Sequence, residues 1–338
     1  MPEVYLDYNA TAPVHPEVLE AMQPYFTDKF GNPFSLHSFG REAKVAIEDA
    51  REKVAKLINA HASEIYFTSC GSESDNWAIK GILGANKNKG NHIITSKIEH
   101  QAVLETCKFL EENGYSVTYL DVDKYGTVDP NNLRKTIRKE TVIISIMHAN
   151  NEIGAIQPIE ELAKIAKENE IYFHTDAVQS VGKIPVDVQK LGVDLLSISG
   201  HKLYAPKGVG VLFIKRGTKI TSLMQGGKQE RNRRAGTENV ALIVGLGKAC
   251  EIAFRDLNEY QEKMKRLSDS FLKKILETIP EVYLNGHPAL RVPNTVNLSF
   301  SGCDGESIIL GLDLQGVAVS SGSACSIGSL EPSHVLMA

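Results

Sequence analysis

The chain has 338 residues, a formal net charge of −4, 42% hydrophobic and 23% charged residues, an ordinary balance for a soluble globular protein with room for two domains. No long basic run invites nucleic acid or an anionic membrane, no apolar run reaches membrane-spanning length, and the first residues lack the regions of a signal peptide, so a cytoplasmic protein is expected. The five cysteines, Cys70, Cys107, Cys250, Cys303 and Cys325, are odd in number and form no C-x-x-C pair, which argues against a disulfide framework or a zinc site.

In chain order, Val4-Tyr5-Leu6 reads as a short strand, and 7–13 and 31–35 as loops dense in turn formers. From Arg41 to Ile58, apolar Ile47, Ala50, Val54, Leu57 and Ile58 recur at helical spacing and predict a packing helix. Ile65-Tyr66-Phe67-Thr68 is a compact strand that runs through a turn of small residues, Ser69-Cys70-Gly71-Ser72, into a helix past Trp77. Strand, small turn and helix together present free backbone N–H groups to a phosphate, and plain helix capping by Ser72 or Ser74 is the alternative. His92 to Ser96 is the next strand, with His100 just beyond its C-terminal end, where an open parallel α/β sheet carries its ligand. An imidazole there can stack on a flat ring and move protons, or merely cap a helix. Tyr115–Leu120 and Thr141–Met147 are further strands, the second apolar on both faces as in a covered parallel sheet.

Ile171 to Asp176 ends an apolar strand on a carboxylate, with Gln179 about one turn later. Burial raises a carboxyl's pKa, and a cationic partner such as a pyridine nitrogen would keep it ionised. Asp194 to Ser199 ends similarly on Gly200-His201-Lys202. A lysine at the mouth of a buried strand either caps the sheet edge or forms a Schiff base with a carbonyl cofactor, pyridoxal phosphate above all. Strands alternating with helices from about 60 to 215 predict a parallel α/β sheet. Ala241–Arg255 and Glu259–Ile279 read as two helices, the second connecting to a smaller domain that the N-terminal strand joins. Pro293–Phe300 and Val317–Val319 are its strands. The expected division is a large domain over 15–255 and a small α+β domain over 1–14 and 256–338. Cys325, among small polar residues, suits a mobile nucleophile reacting as its thiolate, whereas Cys107 and Cys250 read as core.

A strand-end Asp followed by a strand-end Ser-x-His-Lys is the order of groups in fold-type I pyridoxal-phosphate enzymes. Across nearly its whole length the chain resembles the cysteine desulfurases of the NifS/IscS branch, within the class-V aminotransferase family. The stretches that carry the resemblance include Thr68-Ser69-Cys70-Gly71-Ser72-Glu73-Ser74-Asp75-Asn76, Glu99-His100, Asn150-Asn151-Glu152-Ile153-Gly154, His174-Thr175-Asp176-Ala177-Val178-Gln179, Ser199-Gly200-His201-Lys202, Arg234-Ala235-Gly236-Thr237-Glu238-Asn239 and Ser320-Ser321-Gly322-Ser323-Ala324-Cys325. The resemblance implies that Lys202 carries the cofactor, Asp176 pairs with the pyridinium and His100 stacks on the ring. It further implies that Gln179 and Asn151 contact ring substituents or substrate, that Gly71, Ser72, Ser199 and His201 hold the phosphate, and that Thr237 reaches the phosphate in the other subunit of a homodimer.

The implied reaction takes sulfur from L-cysteine, with Lys202 as base and His100 assisting. It leaves a persulfide on Cys325 and releases L-alanine, the sulfur going on to an iron–sulfur scaffold or another sulfur carrier. No metal site is expected beyond Cys325 as a transient iron–sulfur ligand. Two departures are visible. Cys70 stands where the family often has glycine. The family also continues beyond the position of Ala338 with an arginine that clamps the substrate carboxylate, so weak cysteine turnover with cofactor binding retained is expected. The alternatives are a catalytically incomplete cofactor- or partner-binding chain, and a selenocysteine lyase or aminotransferase relative.

Overall fold

The computed structural model describes residues 3–322 and 332–338. In chain order its strands are β1 (Val4–Tyr5), β2 (Ile65–Thr68), β3 (His92–Ser96), β4 (Ser116–Leu120), β5 (Thr141–Ser145), β6 (Tyr172–Asp176), β7 (Leu195–Ser199), β8 (Gly210–Ile214), β9 (Val282–Asn285), β10 (Asn297–Phe300) and β11 (Val317–Ala318). Seven of them form one sheet in the order β2-β8-β7-β6-β5-β3-β4. Pairings from β4 through β7 are parallel, while β8 runs antiparallel to both its neighbours. The alternation of strands and helices predicts a mainly parallel sheet, as found, and β8 runs against the rest for a geometric reason. Only 200–209 separate β7 from β8, too few residues for the crossover that a parallel pairing needs.

The strands are apolar on both faces because helices cover both. In β8, Val211 and Phe213 point into one core, and Leu212 and Ile214 into the other. The first core takes Ile47 and Val54 from the helix Ser38–Leu57 and Leu162 and Ile165 from Ile159–Glu168. The second takes Trp77, Ile79 and Ile82 from Gly71–Ala85 and Val103 and Leu110 from Gln101–Glu112. Cys107 and Cys250 are fully buried in these cores, and burial pushes both thiols up to about 12, so they pack as small hydrophobes and do not ionise near neutrality.

Two expectations are corrected outside the sheet. The two helices predicted over 241–255 and 259–279 are one 39-residue helix, Val240–Thr278, because Asp256-Leu257-Asn258 contains neither glycine nor proline and the helix simply continues. Strand β9, unforeseen in the sequence, pairs antiparallel with β10, which begins at Asn297 and not at Pro293. Strand β1 pairs in parallel with β11, Val4 against Val317.

Three histidines buried beside the sheet set its acid tolerance. His92 bonds Thr141 and Thr118, and His174 bonds Ser145 and Ser197. Burial lowers His92 and His148 from 6.5 to about 4 and His174 to about 3. The unfolded chain takes up these protons near pH 6.5, and the folded chain refuses them until far lower. Stability is therefore complete above 6.5 and is lost as pH falls, by about 1.4 kcal/mol per unit for each histidine. Glu99, raised by burial to about 8, works the other way, as do Asp75 and Asp176, which burial also raises, so the histidines are read by difference. The free energy of urea unfolding of His174→Gln is expected to fall less between pH 6.5 and 5 than that of the wild type, and equal falls would show that this ring is not buried neutral.

Candidate active site

The C-terminal edge of the sheet is where the polar residues gather. Register places Asp176 opposite Ser197 on the neighbouring strand, so the ends of β6 and β7 lie side by side. On the far side of β7, Gly210 pairs with Ser199 and also with Thr68 of β2. Any side chain at Gly210 would strike the Cys70 backbone, since a Cβ there would sit 2.7 Å from the Cys70 carbonyl carbon. The missing side chain lets the turn after β2 fold across β8 onto the end of β7. Gly71 then starts a 15-residue helix against Val178 and Ser199, where a Cβ would come within 3.0 and 3.3 Å of their side chains. The helix is capped by the Cys70 sulfur, which accepts from Glu73 N–H, and not by Ser72 or Ser74. The first-turn N–H groups of Gly71 and Ser72 have no acceptor within the helix. Gly71 and Ser199 are buried, and Ser72 is exposed at the mouth.

Asp176 is buried, with Oδ1 held by the Val178 N–H at 2.8 Å. Burial raises its pKa, while His100 and Lys202, facing it, pull it back toward the carboxylate. Two further acids lie nearby. Asp75, raised well above its ordinary value by burial first and then by Asp176, sits 3.6 Å from His174. Glu99 accepts from Ser96 at 2.6 Å and from the Met147 N–H at 3.0 Å. His100 caps the helix Gln101–Glu112, its Nδ1 accepting the Ala102 N–H at 3.1 Å. Burial lowers that imidazole's pKa and favours the neutral ring; the Asp176 carboxylate opposes the shift, and Lys202 adds to it.

Lys202 donates to the main-chain carbonyls of Asn9 and of Ala10, the latter at 2.6 Å. Its acceptors therefore belong to the strap that follows β1. The same strap supplies Thr11, whose hydroxyl lies 3.1 Å from His201 Nδ1. Burial, followed by the charges of Lys202, Lys207 and Lys183, holds His201 neutral, at about 4. Gln179 is buried and donates through Nε2 to the Asn9 carbonyl at 3.0 Å. Asn151 accepts from Asn9 through its own carbonyl, at 3.2 Å. Thr237 stands apart, exposed in a surface cleft of about 390 Å³ with Tyr25, Phe30 and Asn32. Cys325 lies outside the described residues. The chain on either side of it returns to Glu152: Gly322 lies against that carboxylate, and Ser333 donates to it.

Sequence reasoning singled out Asp176, His100, Gln179, Ser199, His201 and Lys202, and the fold brings these together with Gly71. It missed Asn9 and Lys183, whose contacts span more than 170 positions or sit on a featureless turn. It also missed His334, whose Nε2 donates to the Glu99 carbonyl at 3.0 Å.

Comparison with known proteins decides the family. A family model described as aminotransferase class-V matches residues 4–338. The cysteine desulfurase IscS of Dictyoglomus turgidum is 61% identical over 336 residues, 99% of this chain and 85% of that protein. The chain belongs to the class-V aminotransferases, among their cysteine desulfurases. The cysteine desulfurase IscS of Methanosarcina thermophila, 57% identical over 335 residues, covers 99% of this chain and 83% of its own. Among solved structures, a NifS-like protein superposes with a TM-score of 0.93 at 41% identity, covering 99% of this chain and 89% of its own. SspA in complex with cysteine superposes at 0.87 and 38% identity, covering 99% and 93%. The family's fold, a mostly parallel sheet carrying its polar residues at one edge, is the fold described above.

Proposed function

We propose that this protein is a pyridoxal-phosphate-dependent cysteine desulfurase that takes sulfur from L-cysteine onto Cys325 and releases L-alanine. The observation that carries the reading is the convergence of Asp176, His100 and Lys202 at one sheet edge. The relatives' names and the cysteine-bound neighbour support the substrate.

The residues fit the cofactor. Asp176 is a carboxylate that burial destabilises, so a cationic ring nitrogen beside it would be favourable. The side-chain-free cradle at Gly71, with Ser72, Ser199 and His201, is a donor set for a phosphate at a helix N-terminus. Lys202 would hold the cofactor's carbonyl carbon, His100 its ring face, and Gln179 and Asn151 its substituents. When bound, pyridoxal phosphate supplies an electron sink for the substrate α-carbon.

The chain's own groups then have distinct duties. Lys202 Nζ, aimed by the Asn9 and Ala10 carbonyls, takes the α-proton. His100 accepts a backbone N–H on Nδ1, so its neutral ring carries the proton on Nε2 and can give it up there. The Cys325 thiolate bonds to the substrate sulfur as the carbon–sulfur bond breaks, and the carbon fragment takes up protons to become alanine. His334 and Ser333, seated at Glu99 and Glu152, fix where the chain re-enters after Cys325.

We assign the large domain to 15–255 and the small one to 1–14 with 256–338, and we place the protein in the cytoplasm as a homodimer serving an iron–sulfur scaffold or sulfur carrier. Exposed Phe26 and Phe30 line the Thr237 cleft, Phe39 packs on Phe30, and Leu36, 91% exposed, follows a few positions on; together they support a subunit interface there. None of the described helices is long and apolar enough to cross a membrane.

The test is to load the protein with pyridoxal phosphate, add L-cysteine, and measure alanine and protein persulfide. Cys325→Ser is expected to keep the cofactor's absorption band and to lose the persulfide. Undiminished sulfur transfer by Cys325→Ser would overturn the assignment.

A further inference from the structure

Lys183 is 4% exposed, among the most deeply buried lysines a fold can hold, and it makes no ion pair among the described residues. It follows β6 on the turn that carries Gln179, its N–H bonded to the Ser180 carbonyl at 3.0 Å. Its Nζ donates to Gln179 Oε1 and approaches Asn9 Oδ1 at 3.5 Å. An ammonium only donates, so the Gln179 amide must turn its oxygen to Lys183. That leaves Nε2 facing the Asn9 carbonyl, which only accepts, and to which Lys202 also donates. Asn9 itself is tied on its other side by Asn294 at 3.0 Å and Thr295 at 2.8 Å. The amine thus anchors a closed circuit of two amides and a carbonyl around Lys202, with a second positive charge inside it.

We propose that Lys183 is a positioning residue for Lys202, fixing the orientation of the Gln179 amide and of the Asn9 strap from which Lys202 takes its acceptors. The proposal rests on the cofactor reading above. The groups facing Lys183 are Lys202, whose charge disfavours its own, and His201, held neutral at about 4; no acid opposes Lys202 there among the described residues. Lys202 in turn faces Asp176 and His100. Burial, with Lys202 second, brings Lys183 down to about 7, so its charge is present in acid and fades through neutrality.

The experiment is a pH titration of the absorption band of the pyridoxal-phosphate-loaded protein, wild type against Lys183→Met, with thermal unfolding as a control. Removing a positive neighbour makes protonation easier, so the midpoint of the band is expected to rise by about one pH unit in Lys183→Met. Lys183→Arg, which keeps the donor and holds its charge through neutrality, is expected not to raise the midpoint. Should Met not be tolerated at this site, Lys183→Gln carries the same expectation as a neutral donor. A buried lysine that only packs would change the unfolding temperature and leave the band's midpoint where it was, and that result would overturn the proposal. Failure of the wild type to form a band, or a band that survives Lys202→Ala, would instead overturn the cofactor reading and the proposal with it.

Discussion

Lys202→Ala is expected to abolish the cofactor's absorption band and to lower alanine production from L-cysteine by at least about a thousandfold. A lysine that merely satisfies the carbonyls of Asn9 and Ala10 would behave differently. Its loss would cost about 1 kcal/mol of stability at a partly exposed site and leave turnover intact. The two roles are separated by measuring absorption, alanine and urea unfolding on one preparation. A variant with an unchanged band and undiminished alanine would return Lys202 to a capping role and leave Asp176 and His100 without their proposed partner.

The second large effect concerns stability. Glu230→Ala is expected to destabilise the protein by about 3 to 5 kcal/mol, because it strands the Arg51 guanidinium in the interior. The Arg51–Glu230 pair is 2.8 Å apart with side chains 4% and 3% exposed. Glu230 also accepts the Phe67 N–H at 2.9 Å, and Arg51 donates to the Ile65 carbonyl at 2.8 Å. The pair thus sews the loop after β8 onto β2. It also holds three consecutive non-glycine residues, Glu230, Arg231 and Asn232, at φ values of 44°, 56° and 64°, a conformation costly without such an anchor. Replacing both partners with apolar residues, Arg51→Met with Glu230→Leu, is expected to recover most of the loss. Urea midpoints of the single and double variants check this. A single variant as stable as wild type would show that the pair is dispensable.

Asp176 and Lys202 were legible because each ends a run of apolar residues, and a charge at that position has few innocent explanations. The Gly71 turn was legible as a type, but its place at Ser199 was legible only through the family resemblance, since it depends on Gly210 lying between two strands far apart in sequence. The reversed direction of β8 could have been foreseen from the ten positions that precede it, too short a span for a crossover. Strand β9 was hidden because Val282–Asn285 is short and half-exposed, so its pattern is weak although Pro280 marks the turn before it. Asn9 and Lys183 escaped for a deeper reason. Asn9 matters through hydrogen bonds to Gln179 and Lys202, 170 and 193 positions away, and Lys183 through a bond to Gln179 that only the folded turn reveals; nothing local in Tyr8-Asn9-Ala10 or Gly182-Lys183-Ile184 announces either.

The pairing of Val4 with Val317 has a bearing on how the protein is made. Asp7, on the strap after β1, receives Ser320 from 313 positions downstream, so the strap has no strand to lie against while the ribosome is still at work on the sheet. At about 5 to 20 residues per second, tens of seconds separate the emergence of the strap from that of its anchor. The sheet, with Asp176 and Lys202, can fold in the meantime and already bonds the far end of the strap, Ala12 N–H to the His201 carbonyl and His15 N–H to the Tyr204 carbonyl. Synthesis therefore delivers the strap in two instalments, its β1 end fixed last, when β11 has emerged.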